Sequence, residues 1–304
     1  MSTVRSCPSA RHLDRARLST GASSASGGGR TTGTEDLAPF DLLSEVRGLR
    51  AFDLPSALAE IYAGTLGFDT PCLYANFVAT IDGVVALADA RPSSGSVISG
   101  RAAADRFLMG LLRACADAVV IGAGTLRGSP GHEWTPDAVY PSAAREFAEL
   151  RRRLGRSGSP PLVVVTASGV FDVRHRGLRA GTLVLTGDAG AAELDNRLPD
   201  GVTVRSLGDV GELSMARIVD TLHADGHRVI LTEGGPTLLG KLLRADLLDE
   251  LFLTLSPVLF GRTAMEERKG LVDAVAFTPQ TAPWLELRSV RQNGSYLFLR
   301  YGRA

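Results

Sequence analysis

Short apolar segments alternate with helical patterns from about residue 72 onwards in this chain. Each segment is four to eight residues long, which is the usual length of a buried strand, and the stretches between them repeat apolar residues at helical spacing. This alternation is typical of an α/β fold built on a largely parallel sheet. The predicted strands in this part are CLYANFVA (72–79), DAVVIG (117–122), PLVVVT (161–166), TLVLT (182–186), VTVRSL (202–207) and RVILT (228–232).

The end of the chain has a different pattern. ELFLTLSPVLFG (250–261), LELRSV (285–290) and SYLFLRY (295–301) are predicted strands, and RQNG (291–294) is typical of a hairpin turn between the last two. Strands joined by a hairpin are antiparallel. The sequence therefore predicts an α/β fold with a mostly parallel central sheet and antiparallel C-terminal strands.

The composition excludes several classes of protein. Lys and Arg balance Asp and Glu at 33 each, so no net charge draws the protein to nucleic acid or to an anionic membrane. Cys7, Cys72 and Cys115 form no C-x-x-C pair, which argues against a zinc ribbon or a disulfide scaffold and favours a reducing compartment. No apolar run reaches the roughly 18 residues of a membrane span. We expect a cytoplasmic protein without nucleic-acid or membrane partners.

Residues 1–34 differ in composition from the rest of the chain. They are rich in Ser, Thr, Gly and Arg and nearly free of large apolar side chains. Such a segment cannot bury enough surface to offset the entropy of ordering it, so we predict a disordered N-terminal extension. An Arg- and Ser-rich, acid-poor leader is also typical of an organelle transit peptide. Residues 35–304 show no comparable shift and are predicted to form a single domain.

LTEGGPTLLGKLL (231–243) places glycines between a predicted strand and a predicted helix. It is not a nucleoside triphosphatase loop, because Leu242 stands where a Ser or Thr hydroxyl would ligate magnesium. Free N–H groups at a helix start can bind a phosphate or diphosphate, and Pro236 suits the first helical turn. Glu233 lies where open α/β sheets bind ligands. A tight turn without a ligand is the alternative interpretation.

VVIGAGTLRG (119–128) is a second strand followed by glycines. Gly122 and Gly124 match the start of a dinucleotide fingerprint, but Arg127 occupies its third glycine position, so a standard Rossmann motif is excluded. Gly122, Gly124 and Thr125 can still bring main chain and a hydroxyl against a cofactor. Here too a plain turn is the alternative.

ANFVATIDG (75–83) contains Asn76, Thr80 and Asp82 in an otherwise apolar segment. A buried amide or carboxylate needs partners, since leaving one unpaired costs on the order of 1–3 kcal/mol. The carboxamide or the ribose of a ligand is one such partner. An Asp-Gly turn would by itself explain Asp82.

The helix predicted over 105–116 carries Arg106 and Arg113 on one face with Gly110, opposite an apolar stripe of Leu108, Leu111, Leu112 and Cys115. Two guanidinium groups on one face could clamp a substrate phosphate, although a solvated helix face is the more usual explanation of such a pair. The stretch 128–142 contains three prolines and is predicted to be a long functional loop. His132 within it is another possible cation.

Three motifs in this order resemble one known family. ANFVATIDG, then SGSVISG with DRFLMGLLRACADAVVIGAGT, then VILTEGGPTLLGKLL with DELFLTLSPVLFG, are similar to the reductase domain of bacterial riboflavin biosynthesis, and most similar to stand-alone actinobacterial pyrimidine reductase-like proteins. The resemblance covers about residues 70–301. It implies a three-layer dihydrofolate reductase-like fold, with NADPH as hydride donor and 5-amino-6-(5-phosphoribosylamino)uracil as substrate, reduced at the ribosyl carbon. It also suggests a homodimer.

The resemblance and the motifs together give the predicted site. Substrate-binding residues are Ser96, Arg113, which matches a substrate-phosphate arginine, His132 and Glu233. Either Asp82 or Glu233 is predicted to assist proton transfer. Thr166 and Ser168, after PLVVVT, are candidates to meet the 2′-phosphate of NADPH, with a plain polar turn as the alternative. The predicted cofactor-binding residues are Asn76, Gly122, Gly124, Thr125, Thr166, Ser168, Gly234, Gly235, Pro236, Thr237 and Leu238.

The chain departs from the bifunctional family members in several places. It has no H-x-E with P-C-x-x-C, so zinc-dependent deamination is excluded and no metal site is predicted. Asn76 stands where those enzymes often have Lys, and Gly128-Ser129-Pro130 where they have Asp-Asp-Pro. A second phosphate-binding arginine has no clear counterpart. Pterin or dihydrofolate reduction on the same fold, and NADPH binding without catalysis, therefore stay open as alternatives.

Overall fold

Every segment predicted to be a strand forms one in the computed structural model, which describes residues 37–88, 93–209, 212–263 and 267–304. The predicted disordered extension, 1–34, lies outside these residues. The described strands are β1 (Asp41–Glu45), β2 (Cys72–Thr80), β3 (Ala86–Leu87), β4 (Ala118–Gly122), β5 (Leu162–Val165), β6 (Leu183–Thr186), β7 (Thr203–Ser206), β8 (Val229–Thr232), β9 (Glu250–Ser256), β10 (Arg268–Lys269), β11 (Leu285–Asn293) and β12 (Tyr296–Arg303).

The helices lie between the strands, as the alternating pattern predicts. The helix predicted over 105–116 is observed at Ala103–Cys115, so its bounds differ from the prediction by at most two residues. The described helices are α1 (Ser56–Tyr62), α2 (Ser94–Ile98), α3 (Ala103–Cys115), α4 (Ala123–Arg127), α5 (Pro136–Val139), α6 (Ala144–Arg153), α7 (Asp188–Leu194), α8 (Met215–Ala224) and α9 (Pro236–Arg244), with a 3₁₀ turn at Pro141–Ala143.

The main sheet has ten strands in the order β1-β11-β12-β9-β2-β8-β4-β5-β6-β7. The strands from β9 to β7 in this order are parallel, and β1, β11 and β12 are added antiparallel next to β9. Strands β3 and β10 form a separate antiparallel pair. The predicted sheet, mostly parallel with antiparallel C-terminal strands, is confirmed.

The apolar runs in the parallel strands are explained by burial on both faces. In β4, Val119 and Ile121 belong to one hydrophobic cluster, and Ala118 and Val120 belong to the other. Helices α1, α3, α6 and α7 contribute to the first cluster, whereas α8 and α9 contribute to the second. The sheet is therefore the middle of three layers, and both faces of the parallel strands must be apolar.

Two parts of the structure were not foreseen from the pattern. Strand β1 is an edge strand with mostly exposed side chains, so it has no apolar signature. The predicted loop 128–142 contains α5, a single turn too short to show helical periodicity. Its start is defined by Thr135, whose Oγ1 accepts a hydrogen bond from the Ala138 N–H at 3.3 Å, and by Pro136 at the first helical position.

Candidate active site

The two glycine-containing turns meet at the carboxyl ends of β4 and β8, which are neighbours in the sheet. The N–H of Gly235 donates a hydrogen bond to Thr125 Oγ1 at 2.7 Å. A Cβ on Gly234 would lie 2.7 Å from Ile121 Cα and from Gly122 N, so this glycine is required by close packing of the two turns. The two motifs, more than 100 residues apart in sequence, therefore form one continuous surface.

A cleft of about 610 Å³ opens above these turns. Helices α2 and α3, the 128–142 segment and the β3–β10 pair contribute its other walls. Of the predicted site residues, those that line the cleft are Asn76, Ser96, Arg113, Gly122, Gly124, Thr125, His132, Glu233, Gly235, Pro236, Thr237 and Leu238. Asp82, Thr166, Ser168 and Gly234 lie outside its lining.

A buried ion pair lies in this cleft. Arg113 donates from Nε and Nη2 to the two carboxylate oxygens of Glu233, at 2.9 and 2.7 Å, and both side chains are almost fully buried. Its Nη1 donates to the main-chain oxygens of Glu133 and Thr135, and Nη2 also lies 2.9 Å from His132 Nε2. With His132 accepting, all five guanidinium N–H groups have a partner. The network joins α3, the 128–142 segment and the end of β8.

The glycines of these turns leave open space beside the main chain. A Cβ on Gly122 would meet nothing within 4 Å, and one on Gly124 would only approach Arg127 at 3.9 Å. Helix α9 begins at Pro236, and its N-cap residue Gly235 provides no side-chain cap. The Gly235 N–H donates to Thr125 Oγ1, the Leu238 N–H donates to the Gly235 main-chain oxygen, and proline has no N–H. The Thr237 N–H is the group of this turn that is left for a ligand, at the positive end of the helix dipole. An open glycine surface beside an uncapped helix start is suited to a diphosphate.

Comparison with models of known families matches residues 71–298 to the RibD C-terminal domain. The chain belongs to this family. A curated relative from Archaeoglobus fulgidus, named 2,5-diamino-6-ribosylamino-4(3H)-pyrimidinone 5′-phosphate reductase, is 26% identical over 199 residues, which are 63% of this chain and 82% of the relative. The resemblance to the reductase domain of riboflavin biosynthesis is thus confirmed.

Solved structures of RibD-type reductases share the fold. A pyrimidine reductase-like protein from Corynebacterium diphtheriae superposes with a TM-score of 0.60 at 23% identity, covering 83% of this chain and 96% of that one. RibD of Acinetobacter baumannii superposes with a TM-score of 0.58 at 19% identity, covering 81% of this chain and 60% of RibD. The three-layer dihydrofolate reductase-like fold is therefore confirmed.

Arg113 differs from the substrate-phosphate arginine that the resemblance implied. It is 1% exposed, and its N–H groups are all engaged within the protein, so none is left to clamp a phosphate. The alternative of a solvated helix face also fails. Gly110 on the same face is buried. It packs so closely against α6 that a Cβ there would lie 2.7 Å from the Phe147 ring. In this RibD-type domain Arg113 holds Glu233 in place.

His132 does not supply a cation at neutral pH. Burial, and then the nearby Arg113 charge, lower the pKa of His132 to about 3. The ring packs edge-on against Trp134, with centroids 4.8 Å apart, and both residues line the cleft. The neutral imidazole therefore completes the Arg113 network and shapes the wall.

Asp82 occupies a structural position. Its carboxylate accepts hydrogen bonds from Thr80 Oγ1 at 2.5 Å and from the N–H groups of Phe260 and Gly261 at 3.3 and 2.6 Å. The Thr80 hydrogen bond is the main reason why the pKa of Asp82 is lowered. The carboxylate thus fastens the segment after β9 to the turn after β2, outside the cleft. This placement removes the support for Asp82 as the proton-transfer group.

Thr166 and Ser168 follow β5, next to β4 in the sheet. Thr166 Oγ1 accepts from the Gly169 N–H at 3.1 Å and Ser168 Oγ accepts from the Val170 N–H at 3.3 Å, as the polar-turn alternative predicts. Arg127 Nη1 donates to the main-chain oxygen of Val170 at 2.9 Å. The turn thus has an exposed cation beside it, and its contact with the cofactor stays a prediction.

Asp105 in the first turn of α3 lines the cleft and was missed by the sequence argument. It is 4% exposed, and burial raises the pKa of its carboxyl to about 6. A signal was present, since Asp105 precedes Leu108 and Leu112 by three and seven residues and so lies on the buried stripe of α3. An acid on an apolar stripe needs an explanation.

The cleft has other cationic side chains in the described part of the chain, namely Arg101, Arg106 and Lys269. Lys269 pairs with Asp273 at 2.9 Å. Among the described residues, no cluster of His, Cys, Asp and Glu side chains could hold a metal ion. None of the described helices is long and apolar enough to span a membrane.

Proposed function

We propose that this protein is an NADPH-dependent reductase that transfers hydride to the ribosyl carbon of 5-amino-6-(5-phosphoribosylamino)uracil or of a closely related pyrimidine. The observation that carries the proposal is the joining of the two glycine turns, through Gly235 and Thr125, at the floor of the cleft that contains the Arg113–Glu233 pair. In this proposal a dinucleotide site and an oriented acid would share one cavity.

The cofactor site in this proposal is built from main chain. Gly122 and Gly124 would let the cofactor approach β4, and the uncapped start of α9 would bind its diphosphate. NADPH would supply the hydride. The chain itself would contribute positioning, because apolar side chains such as Phe77, Met109 and Trp134 line the cleft and restrict water.

Glu233 would bind the sugar of the substrate rather than its phosphate. Each carboxylate oxygen accepts one hydrogen bond from Arg113 and retains a lone pair for another donor. The side chain is 7% exposed, at the cleft wall. We assign it to a hydroxyl of the ribosyl chain. The phosphate would then be bound by cations at the cleft wall, with Arg106 on α3 and Arg101 before it as candidates.

The preference for NADPH over NADH is assigned to the turn after β5. Arg127 lies beside this turn, and an arginine near the ribose is a usual partner of the 2′-phosphate. Exchanging Arg127→Ala should reduce the ratio of kcat/KM for NADPH to that for NADH. Because Arg127 is an exposed residue with one main-chain contact, stability should be unchanged. An unaltered cofactor ratio would remove Arg127 from this role.

The function is tested by following NADPH oxidation by absorbance with the phosphoribosylaminouracil, its 2-amino counterpart and dihydrofolate, and by identifying the ribityl product by mass spectrometry. Turnover of a phosphoribosylaminopyrimidine supports the proposal. Turnover of dihydrofolate alone would identify a pterin reductase. NADPH binding in calorimetry without turnover of any of the three would identify a non-catalytic binding protein.

We also propose that the protein is a cytoplasmic homodimer that contacts its copy through the antiparallel part of the sheet. The support is a group of exposed apolar side chains on and beside β1 and β11, namely Leu42, Leu43, Val46, Trp284 and Leu287. Exposed apolar patches of this kind usually mark interaction surfaces. Light scattering coupled to size exclusion should give twice the chain mass of 32.1 kDa. The Leu43→Glu variant should give the mass of a single chain.

A further inference from the structure

Asp105 is a buried acid in the cleft that the proposed reaction does not use. Its side chain starts in the first turn of α3, where the helix dipole favours a carboxylate, yet it is 4% exposed. The remaining exposure faces the cleft, because Asp105 belongs to its lining. A carboxylate in such a place is stable only when donors reach it or when it binds a proton.

Two hydroxyl groups lie beside Asp105. Those of Thr254 in β9 and of Ser99 are close enough to the carboxyl to lower its pKa. Asn76 in the adjacent strand β2 is 8% exposed and faces the same cleft. A buried acid and an amide that both line the cleft indicate a polar ligand edge.

The chemistry of that edge follows from the acceptors. A carboxylate pairs best with two parallel N–H donors, as it does with a guanidinium group. A 2-amino-4-pyrimidinone ring has such a pair in its 3-NH and 2-amino groups. A uracil ring has instead one N–H between two carbonyl oxygens, and one of these oxygens would face the carboxylate. Its adjacent N–H pairs, at N1 with the 6-nitrogen and at the 6-nitrogen with the 5-amino group, both include the nitrogen that carries the sugar. Using either pair would turn the sugar towards Asp105.

We propose that Asp105 recognises the 3-NH and 2-amino groups of a 2-amino-4-pyrimidinone, so that this protein favours that ring over uracil as its substrate. The inference rests on the proposed reductase function and specifies which pyrimidine is reduced. Asp105 is a specificity-determining residue here, and Glu233, held by Arg113, contacts the sugar.

The protonation state of Asp105 gives the preference a pH dependence. The pKa of Asp105 is raised to about 6, mainly by burial and to a smaller extent by the Glu233 charge, against the lowering effect of the Thr254 and Ser99 hydroxyls and of the Arg106 charge. Above this pH the carboxylate accepts two N–H groups. Below it the neutral acid has one donor and one acceptor, which match the carbonyl and N–H of uracil. The other charged or titratable groups at the cleft are Arg101, Arg113, His132 and Lys269.

The experiment compares kcat/KM for the 2-amino substrate and for its uracil counterpart. We expect the wild type to favour the 2-amino ring by about a hundredfold, the factor that corresponds to leaving a buried acceptor without its donor. The ratio should fall when the pH is lowered from about one unit above the Asp105 pKa to about one unit below it. Equal values for both rings above that pKa, or a preference for uracil, would overturn the proposal.

Asp105→Asn should reduce the ratio to within about tenfold by lowering kcat/KM for the 2-amino ring only. Glu149→Gln, which removes a carboxylate paired with Arg152 and Arg153 on α6, is the matched control and should leave the ratio unchanged. An equal loss for both rings in Asp105→Asn would indicate a structural role and contradict the proposal. If Asp105→Asn does not fold, the wild-type ratio and its pH profile decide.

Calorimetric titration separates this inference from the reductase function. Both ring compounds are titrated into the wild type and Asp105→Asn in the presence of NADP⁺. Tighter binding of the 2-amino compound to the wild type, without turnover, would contradict the reductase function but support ring recognition by Asp105. Turnover with equal affinity for both compounds would support the function and contradict the recognition.

Discussion

Two buried arginine–glutamate pairs have nearly the same geometry in different halves of the sheet. Arg113 and Glu233 pair at 2.7 and 2.9 Å at the end of the parallel strands. Arg300 of β12 pairs with Glu250 of β9, where the antiparallel strands begin, with both distances 2.7 Å. Only the first pair lines the cleft. The position of a buried ion pair, and not its geometry, therefore makes it a candidate for a functional site.

The surroundings of the two pairs explain the difference. Arg300 donates its remaining Nη2 hydrogen to the Gly67 main-chain oxygen at 2.8 Å and lies 5.4 Å from the ring centroids of Phe68 and Phe252. Its contacts are therefore with the core of the antiparallel half. The Arg113 pair instead lies where parallel strands end, and there the chain leaves the sheet in turns that leave room for a ligand.

Removing Arg113 should have the largest effect. Arg113→Met leaves the Glu233 carboxylate buried without its partner, which costs about 3–5 kcal/mol of unfolding free energy. Activity should be lost as well, at temperatures where the variant is still folded, because Glu233 is no longer oriented. Urea unfolding and NADPH oxidation measure the two effects. Full activity in a folded Arg113→Met would separate the ion pair from the site.

Removing Arg300 should have a similar effect on stability alone. Arg300→Met leaves Glu250 unpaired, so the unfolding free energy should again fall by about 3–5 kcal/mol. The kcat/KM of the folded fraction should stay near the wild-type value, because neither partner lines the cleft. A loss of kcat/KM like that of Arg113→Met would show that the two halves are coupled, and it would contradict a purely structural role for the Arg300–Glu250 pair.

Two glycines at the meeting of the turns should respond differently to the same change. Gly234→Ala places a methyl group 2.7 Å from the main chain of Ile121 and Gly122, and overpacking of this kind costs about 1–3 kcal/mol. Gly122→Ala places a methyl group in open space, so stability should be kept while NADPH affinity falls. Thermal unfolding with and without NADPH measures both. Unchanged NADPH affinity in Gly122→Ala would contradict the proposed cofactor site.

The smallest expected effect is the pH response of His132. Its pKa is 6.5 ordinarily and about 3 in the fold, so between these values the unfolded chain binds more protons and wild-type stability falls as the pH falls. His132→Gln removes this contribution. Its unfolding free energy relative to wild type should therefore improve by about 1 kcal/mol from about pH 7 to about pH 5.5. The raised pKa of Asp105 is present in both proteins and cancels.

Parallel pH profiles for the two proteins would show that His132 has the same pKa in the folded and the unfolded protein. In that case the ring would be more solvated than its burial implies. Among the described residues the Arg300–Glu250 pair has no histidine partner, so no corresponding response is expected in the antiparallel half.

The sequence by itself determined the order of strands and helices, the parallel and antiparallel parts of the sheet, and the two glycine turns. These features are local, since strand length, helical spacing and turn residues act over a few neighbouring positions. The family was also recognisable from three motifs in order. The edge strand β1 was missed because an exposed edge leaves no apolar pattern.

Only the tertiary structure decided what the polar residues do. Arg113, His132 and Asp82 have the residue types of a phosphate clamp, a cation and a proton donor, but their partners come from segments distant in sequence. Asp105 became a candidate only once α3 was placed against the cleft. Charge state and free hydrogen-bonding capacity depend on burial and on neighbours, and folding brings those neighbours together across the whole chain.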